Sequence, residues 1–164
     1  MATITQPLRD EHKELFPQIG TLRSVADSIG QVAVTELRQG VDEAYAFLAH
    51  HLIPHAKAEE QALYPVVGKV MSAPEATATM RHDHVAVGEL TEELAALRSR
   101  LTGPTLTVSE ANNLRRVLYG LYTLVRVHFA KEEEVYLPLL DARLTPEEAD
   151  EMFAAMHKAA HAAA

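Results

Sequence analysis

The chain has no cysteine and no tryptophan, and only 5% of its residues are aromatic. Without cysteine, disulfides, thiolate metal ligands and thiol catalysis are excluded, so any bound metal must be held by nitrogen and oxygen atoms. No run approaches the roughly 18 consecutive apolar residues that a membrane-spanning helix needs. The N-terminal residues also lack the charged and apolar regions of a secretory signal. We therefore expect a cytoplasmic protein that has no membrane partner.

Basic residues are in the minority, since 15 Lys and Arg stand against 23 Asp and Glu, for a formal net charge of −8. This charge argues against nucleic acid as a partner, because a phosphate backbone would be repelled. The alternating β-branched pattern of strands is also absent, whereas alanine and leucine are plentiful, which favours an all-α fold. A length of 164 residues fits one domain, which we predict over residues 1–164.

Apolar residues recur with a period of 3.6 along most of the chain, which predicts amphipathic helices. Gly30 marks the end of the first helix, and Pro54 predicts a kink within the second. Four long helices with short connections favour an antiparallel four-helix bundle over about 8–140, followed by a short C-terminal helix over about 146–160. The first three predicted helices span residues 8–29, 34–67 and 74–101. The fourth begins after a cap at Ser109 and ends near residue 138, and the fifth begins at a capping box at Thr145 and ends near residue 160.

One motif occurs twice, in residues 55–65 and again in residues 128–138. Each copy has a histidine, glutamates four and five residues later, and a proline ten residues later. Because residues four apart lie on the same face of a helix, each histidine points to the same side as the first glutamate. These pairs are His55 with Glu59 and His128 with Glu132. Two copies in one small chain predict a single site built from both halves.

Two further histidines, His12 and His84, lie on the apolar faces of the first and third helices, 43 and 44 residues before the motif histidines. Buried carboxylates must be paired or bound to a cation. Converging imidazoles and carboxylates suit iron, manganese or zinc. Six ligands are too many for one tetrahedral zinc ion, so we predict a site for two metals. The predicted ligands are His12, His55, Glu59, His84, His128 and Glu132.

The order His, His-x-x-x-Glu, His, His-x-x-x-Glu, with Tyr-Pro closing the second helix, resembles the hemerythrin-like (His-His-Glu) cation-binding domain family over residues 8–140. The resemblance implies a four-helix bundle that holds two iron ions in an oxo- or hydroxo-bridged centre. It also implies reaction with a small oxidant, namely hydrogen peroxide, dioxygen or nitric oxide. The chain is similar as well to bacterial stand-alone hemerythrin-like proteins, some of which decompose hydrogen peroxide.

The third helix departs from the pattern of the oxygen-carrying hemerythrins, which have a His-x-x-x-His pair there. Here the residue four positions after His84 is Gly88, so the second histidine of that pair is missing. Either His51, one turn before His55, supplies an additional ligand, or the position stays open. We expect Tyr64 and Tyr136 to pack at the end of the bundle, and the alternative is a hydrogen bond to the site.

The fourth-helix carboxylate also differs in spacing. In the oxygen carriers it lies five residues after the histidine, which would select Glu133 rather than Glu132. A residue at i+4 is turned by about 40° from residue i and one at i+5 by about 140°. Glu132 is therefore favoured, and Glu133 stays an alternative.

Three functions are compatible with these residues. An open position on the metals favours turnover, because small oxidants can bind and leave, so a catalase-like decomposition of hydrogen peroxide is our first hypothesis. The alternative is reversible binding or sensing of dioxygen, nitric oxide or iron without turnover. The third is a metal-free interaction module. Nothing in the pattern indicates an oligomeric state.

Overall fold

The apolar stripes of the sequence form helices throughout a computed structural model of the protein, which describes residues 3–163. Within this range there is no strand, and the predicted all-α bundle is confirmed. Helix α1 packs against α2 and α4, while α3 packs against the other side of α2 and α4. The helices are α1 (Gln6–Ser28), α2 (residues 34–71), α3 (Ala78–Arg100), α4 (residues 108–143) and α5 (Pro146–Ala163). None of the helices among these described residues is both long and apolar enough to cross a membrane.

Helices α2 and α4 contain wider π turns, in which a backbone N–H bonds to the carbonyl five residues back instead of four. A proline follows two residues after each turn, at Pro54, Pro65 and Pro138. Proline lacks an N–H and clashes with the carbonyl four residues earlier in a regular α-helix, so a wider preceding turn relieves both problems. The π turns are Leu48–Leu52, Glu59–Leu63 and Glu132–Tyr136. Helix α2 thus continues through Pro54 to Met71.

The connection between α2 and α3 differs from the prediction. Helix α2 ends at Met71 because Ser72 adopts the left-handed conformation, with φ of 52°. Residues 74–77 form a separate turn, in which the N–H of Ala78 bonds to the carbonyl of Glu75. The predicted start of the third helix at Pro74 is therefore wrong. By contrast, Gly30 ends α1 as expected, with φ of 81° that favours glycine.

The cap of α4 also lies two residues earlier than predicted. The hydroxyl of Thr107 accepts a hydrogen bond from the backbone N–H of Glu110 at 3.2 Å, and the Glu110 carboxylate accepts one from the N–H of Thr107 at 2.7 Å. This reciprocal pair is a capping box. Ser109 is therefore inside the first turn and is not the cap. The capping box predicted at Thr145 is present, joining Thr145 and Glu148.

The buried apolar residues form two separate clusters along the bundle axis. The larger contains Ile19, Leu22, Leu94 and Leu114 in the half farther from α5. The smaller contains Leu63, Leu137 and Met152, and α5 packs over it and over residues 53–63 of α2. Between the clusters every bundle helix contributes polar side chains to one layer, so the candidate site interrupts the apolar core.

The capping box gives a test of the α4 boundary. Thr107→Ala removes the side-chain acceptor of the Glu110 N–H, so we expect the free energy of unfolding to fall by about 1 kcal/mol. Ser109→Ala is the matched control, since Ser109 is exposed and makes no capping bond. Urea unfolding of both variants measures the difference. A larger loss in Ser109→Ala than in Thr107→Ala would place the cap at Ser109 after all.

Candidate metal centre

The six side chains singled out in the sequence meet in the polar layer between the two apolar clusters. Helices α1 and α3 each supply one imidazole, and α2 and α4 each supply an imidazole and a carboxylate. Glu59 and Glu132 have no exposed surface. The remaining four, His12, His55, His84 and His128, are at most 8% exposed at their side chains.

These side chains form two donor groups that share Glu59. In the first group, Nε2 of His55 lies 3.0 Å from Oε1 of Glu59, and Nε2 of His12 lies 3.4 Å from Oε2 of Glu132. All the donor atoms of this group lie within 4.8 Å of one another. Two imidazoles and two carboxylates thus surround one point.

The second group lies on the other side of the glutamates. Nε2 of His84 is 3.4 Å from Oε2 of Glu59, and Nε2 of His128 is 3.3 Å from Oε1 of Glu132. Each carboxylate therefore directs one oxygen to each group, which is the arrangement of a bridging ligand. The Nε2 atoms of His84 and His128 are 3.0 Å apart. Ligand atoms bound at about 2.1 Å in adjacent octahedral positions have about this separation.

Several buried atoms of this layer have no hydrogen-bond partner. They are Nε2 of His12, Nε2 of His55, both carboxylate oxygens of Glu59 and Oε2 of Glu132. Each unpaired buried polar atom costs about 1–3 kcal/mol, and an unpaired buried charge costs more. Metal cations held in the two donor groups would give these atoms partners, so the donor set fits metal ions.

The outer nitrogen of every imidazole donates to a carboxylate of a neighbouring helix. Because Nδ1 carries the proton, the Nε2 lone pair of each neutral ring faces the centre and is free for a metal. The arrangement follows the two-fold relation of the sequence, in which α1 corresponds to α3 and α2 to α4. The pairs are His55 with Glu11 at 2.9 Å, His128 with Asp83 at 3.0 Å, His12 with Glu133 at 2.7 Å and His84 with Glu60 at 2.9 Å.

The two glutamates left as alternatives take different places. Glu132 is fully buried between the donor groups. Glu133 binds the outer Nδ1 of His12 and also accepts a hydrogen bond from Arg9 at 2.5 Å, with its side chain 25% exposed. Glu132, four residues after His128, thus points into the centre, and Glu133, five residues after it, lies at the edge of the centre.

The structure does not bring His51 to this centre. Its side chain is exposed, and its ring lies 6.4 Å from that of Phe47. The π turn Leu48–Leu52 contains His51, so the regular four-residue spacing to His55 does not hold there. The other histidines predicted to lie outside the centre are also exposed, namely His50, His82, His157 and His161.

Tyr64 does not pack at the end of the bundle, the position that the sequence favoured, because its hydroxyl oxygen lies inside the second donor group. It donates a hydrogen bond to Oε1 of Glu132 at 3.0 Å and lies 3.2 and 3.3 Å from Nε2 of His84 and His128. Tyr64 follows His55 by nine residues, which in a regular helix is a rotation of about 180°, away from the site. The π turn Glu59–Leu63 removes this discrepancy. The only sequence signal was Pro65, which follows that turn.

Tyr64 breaks the two-fold symmetry of the centre. The residue nine positions after His128 is Leu137, which is fully buried in the apolar cluster under α5. The second donor group therefore has a phenol, whereas the equivalent position beside the first donor group is occupied by Leu137. Burial, with the negative charges of Glu59 and Glu132, raises the pKa of Tyr64, so the phenol keeps its proton.

The two central glutamates influence each other's ionisation. Burial alone would raise the pKa of Glu59, but the charge of His55 and the nearby imidazoles of His12 and His128 hold it well below its usual value. The pKa of Glu132 is raised, because burial and the negative charge of Glu59 disfavour a second carboxylate. Burial lowers the pKa of His128, but Glu132 and Glu59 outweigh this effect and raise it to about 10. The metal-free centre therefore holds protons where metal ions would bind.

A small cavity of about 10 Å³ adjoins His84 and His128. This is close to the smallest space that holds one water molecule. The rest of its lining is His55, Glu59 and five apolar side chains, namely Leu52, Ala56, Val87, Val125 and Phe129. The cavity thus adjoins imidazoles of both donor groups and has room for a very small molecule.

Comparison with known protein families assigns the chain to one of them. Residues 3–140 match the model of the hemerythrin HHE cation-binding domain, which covers most of the 164 residues. The protein therefore belongs to this family, and membership implies that it binds metal cations. Comparisons with curated proteins and with solved structures gave no match.

The neighbouring glutamates of α4 allow a matched test of the centre. Glu132→Gln removes a charged oxygen from both donor groups, so we expect the purified protein to lose bound metal. Glu133→Gln should keep the metal, with its affinity lowered about 10- to 100-fold, because only the orientation of His12 is affected. Elemental analysis and competition with a chelator measure both effects. Full metal content in Glu132→Gln would contradict this placement.

The metal-free protein should lose stability as the pH rises. His128 has a folded pKa of about 10 against an ordinary value of 6.5, so its protonation stabilises the fold fully below pH 6.5. This contribution is lost as the pH rises through about 10. Urea unfolding of chelator-treated protein at several pH values measures it. Metal-loaded protein should lose less stability, because metal takes the place of the proton. If the stability of the metal-free protein stayed constant over this pH range, the raised pKa of His128 would be refuted.

Proposed function

We propose that this protein holds two iron ions between its four bundle helices and uses them to decompose hydrogen peroxide. The observation that carries the proposal is the set of buried donor atoms without partners, arranged as two groups around Glu59. One group consists of His12, His55, Glu59 and Glu132, and the other of Glu59, His84 and His128. Imidazole and carboxylate donors are well suited to iron.

Glu59 and Glu132 would help to hold both ions, because each directs one oxygen to each donor group. Their two negative charges would offset part of the charge of two cations in a layer that excludes water. The outer carboxylates would keep the four rings oriented and their Nε2 atoms unprotonated. Two iron ions held in this way supply a two-electron couple, which is what the disproportionation of peroxide requires.

Tyr64 would handle the proton of this reaction. Its hydroxyl lies 3.2–3.3 Å from Nε2 of His84 and His128, beside the position where the second ion would be held. The phenol is protonated at neutral pH and donates to Glu132, so it can give a proton to the peroxide molecule that is reduced and take one back from the peroxide molecule that is oxidised. In the net reaction, two molecules of hydrogen peroxide give two of water and one of dioxygen.

A second candidate function is reversible binding of dioxygen or nitric oxide, and the small apolar cavity favours it. A space of about one water molecule, with Leu52, Val87, Val125 and Phe129 in its walls, suits a diatomic gas. The two functions differ in outcome. A carrier or sensor would show optical bands that appear and reverse on gas exchange and would release no oxygen from peroxide.

Oxygen release from peroxide by the iron-loaded protein tests the proposal. We expect release well above that of the same concentration of free iron, and about a hundredfold slower release by Tyr64→Phe, which lacks the proton donor. Tyr136→Phe is the matched control, because Tyr136 lies in the other copy of the motif and its hydroxyl donates to the carbonyl of Ala76, outside the centre.

Iron content is measured for each variant, so that loss of metal is separated from loss of proton transfer. Oxygen release no greater than that of free iron would sink the proposal and leave the gas-binding alternative. Equal rates for the wild type and Tyr64→Phe at equal iron content would remove Tyr64 from the reaction.

A further inference from the structure

Most histidines outside the centre lie at one edge of the bundle. The chain has nine histidines, of which four belong to the centre. Four of the other five line two neighbouring grooves between α1, α2 and α5. They are His50 and His51 on α2, and His157 and His161 on α5. Their positions in the sequence are up to 111 residues apart, so the fold brings them together.

The two grooves adjoin each other. The larger, of about 560 Å³, is lined by His50, His51 and His161. The smaller, of about 220 Å³, contains His157 and lies beneath α5. Both are bounded by Glu11, His55 and Ala160, so they meet at the same place. We call the joined space the histidine vestibule, defined by Glu11, Glu14, His50, His51, His157 and His161.

The vestibule reaches the centre through a single imidazole. Oε1 of Glu11 accepts a hydrogen bond from Nδ1 of His55 at 2.9 Å. On the other side of the same ring, Nε2 lies 3.0 Å from Oε1 of Glu59. One side chain thus separates solvent in the vestibule from the first donor group.

Glu11 is also the most exposed of the four carboxylates that hold the rings. Its side chain is 49% exposed, against 35% for Glu60, 25% for Glu133 and 15% for Asp83. Of the four outer carboxylates, the one that lines the vestibule is therefore the most accessible to solvent. Water or an ion in the vestibule can thus reach the carboxylate that is hydrogen-bonded to His55.

The chemistry of the vestibule suits a divalent metal ion. Imidazole nitrogens and the carboxylates of Glu11 and Glu14 are ligands for such ions, and no Lys or Arg is among the described residues that line the two grooves. The vestibule imidazoles do not converge into a group of three or more donors within the described part of the chain. Separate exposed donors bind an ion weakly and release it, whereas a closed set would retain it.

We propose that the histidine vestibule captures ferrous ions from solution and passes them to the centre at His55. This inference rests on the proposed function, in which the centre holds iron. The ion would bind in turn to pairs of exposed imidazoles and to Glu14, and then move past Glu11 to the unpartnered Nε2 of His55. Helix α5 is essential to this route because it supplies His157 and His161.

The rate of iron uptake tests the route. Metal-free full-length protein is mixed with ferrous ion under argon, the reaction is stopped at intervals with a chelator, and iron retained by the protein is counted after desalting. We expect the variant His50→Gln/His51→Gln/His157→Gln/His161→Gln to take up iron about tenfold more slowly at limiting iron, since local ion concentration sets the rate. Its final iron content and visible spectrum should equal those of the wild type.

His82→Gln is the matched control, because His82 is the one exposed histidine that does not line the vestibule. It should take up iron at the wild-type rate. The double variants His50→Gln/His51→Gln and His157→Gln/His161→Gln should each be intermediate, which shows that both helices contribute. All the replaced side chains are exposed, so helix content measured by circular dichroism should be unchanged.

The outcomes separate the route from the centre. Uptake by the fourfold variant at the wild-type rate, or equal slowing in His82→Gln, overturns the vestibule and leaves the iron centre standing. A lower final iron content in the fourfold variant overturns the route as stated, because the histidines would then be part of storage. No iron uptake by the wild type overturns both the vestibule and the proposed function.

Discussion

Two glutamates without exposed surface lie side by side in the middle of this bundle, and the rest of the structure is arranged around them. Two adjacent buried carboxylates repel each other unless positive charge lies between them. Burial and this repulsion together raise the pKa of Glu132 in the metal-free protein. Four imidazoles face the glutamates, and four outer carboxylates orient the imidazoles. The charged layer divides the apolar core into two clusters, which hold the helices on either side of it.

The layer is built from two related halves whose difference has chemical consequences. The outer pairs obey the two-fold relation, since Glu11 and Asp83 occupy equivalent places, as do Glu60 and Glu133. The position of Tyr64 does not, because its counterpart is Leu137. The two metal positions that we propose would therefore differ, and only the one near His84 would have a proton donor beside it. An asymmetric pair suits a reaction in which one ion meets the oxidant.

Much of the fold and of the centre followed from the sequence. The periodicity of apolar residues predicted the helices, and it gave their ends to within about five residues, the largest difference being the end of α4 at Arg143 instead of about 138. The repeated spacing of His55 with Glu59 and of His128 with Glu132 put each pair on one helix face, and the structure brings these residues together with His12 and His84. Spacing within one helix was also enough to favour Glu132 over Glu133. These are local properties, because a regular helix fixes the direction of a side chain from its position in the chain.

The features that the sequence did not reveal depend on irregular backbone or on contacts between helices. Tyr64 reaches the centre and His51 does not, because π turns change the rotation per residue along the helix. Such a turn is stabilised by tertiary packing as well as by the proline that follows it. The pairing of Glu11 with His55 joins α1 to α2, and the vestibule joins residues from α1, α2 and α5. By itself the sequence determined the fold class, the six central side chains and the family that they resemble. The tertiary structure decided which oxygen faces which nitrogen, where the phenol lies and where the centre opens to water, because these depend on distances between helices that the spacing within one helix does not contain.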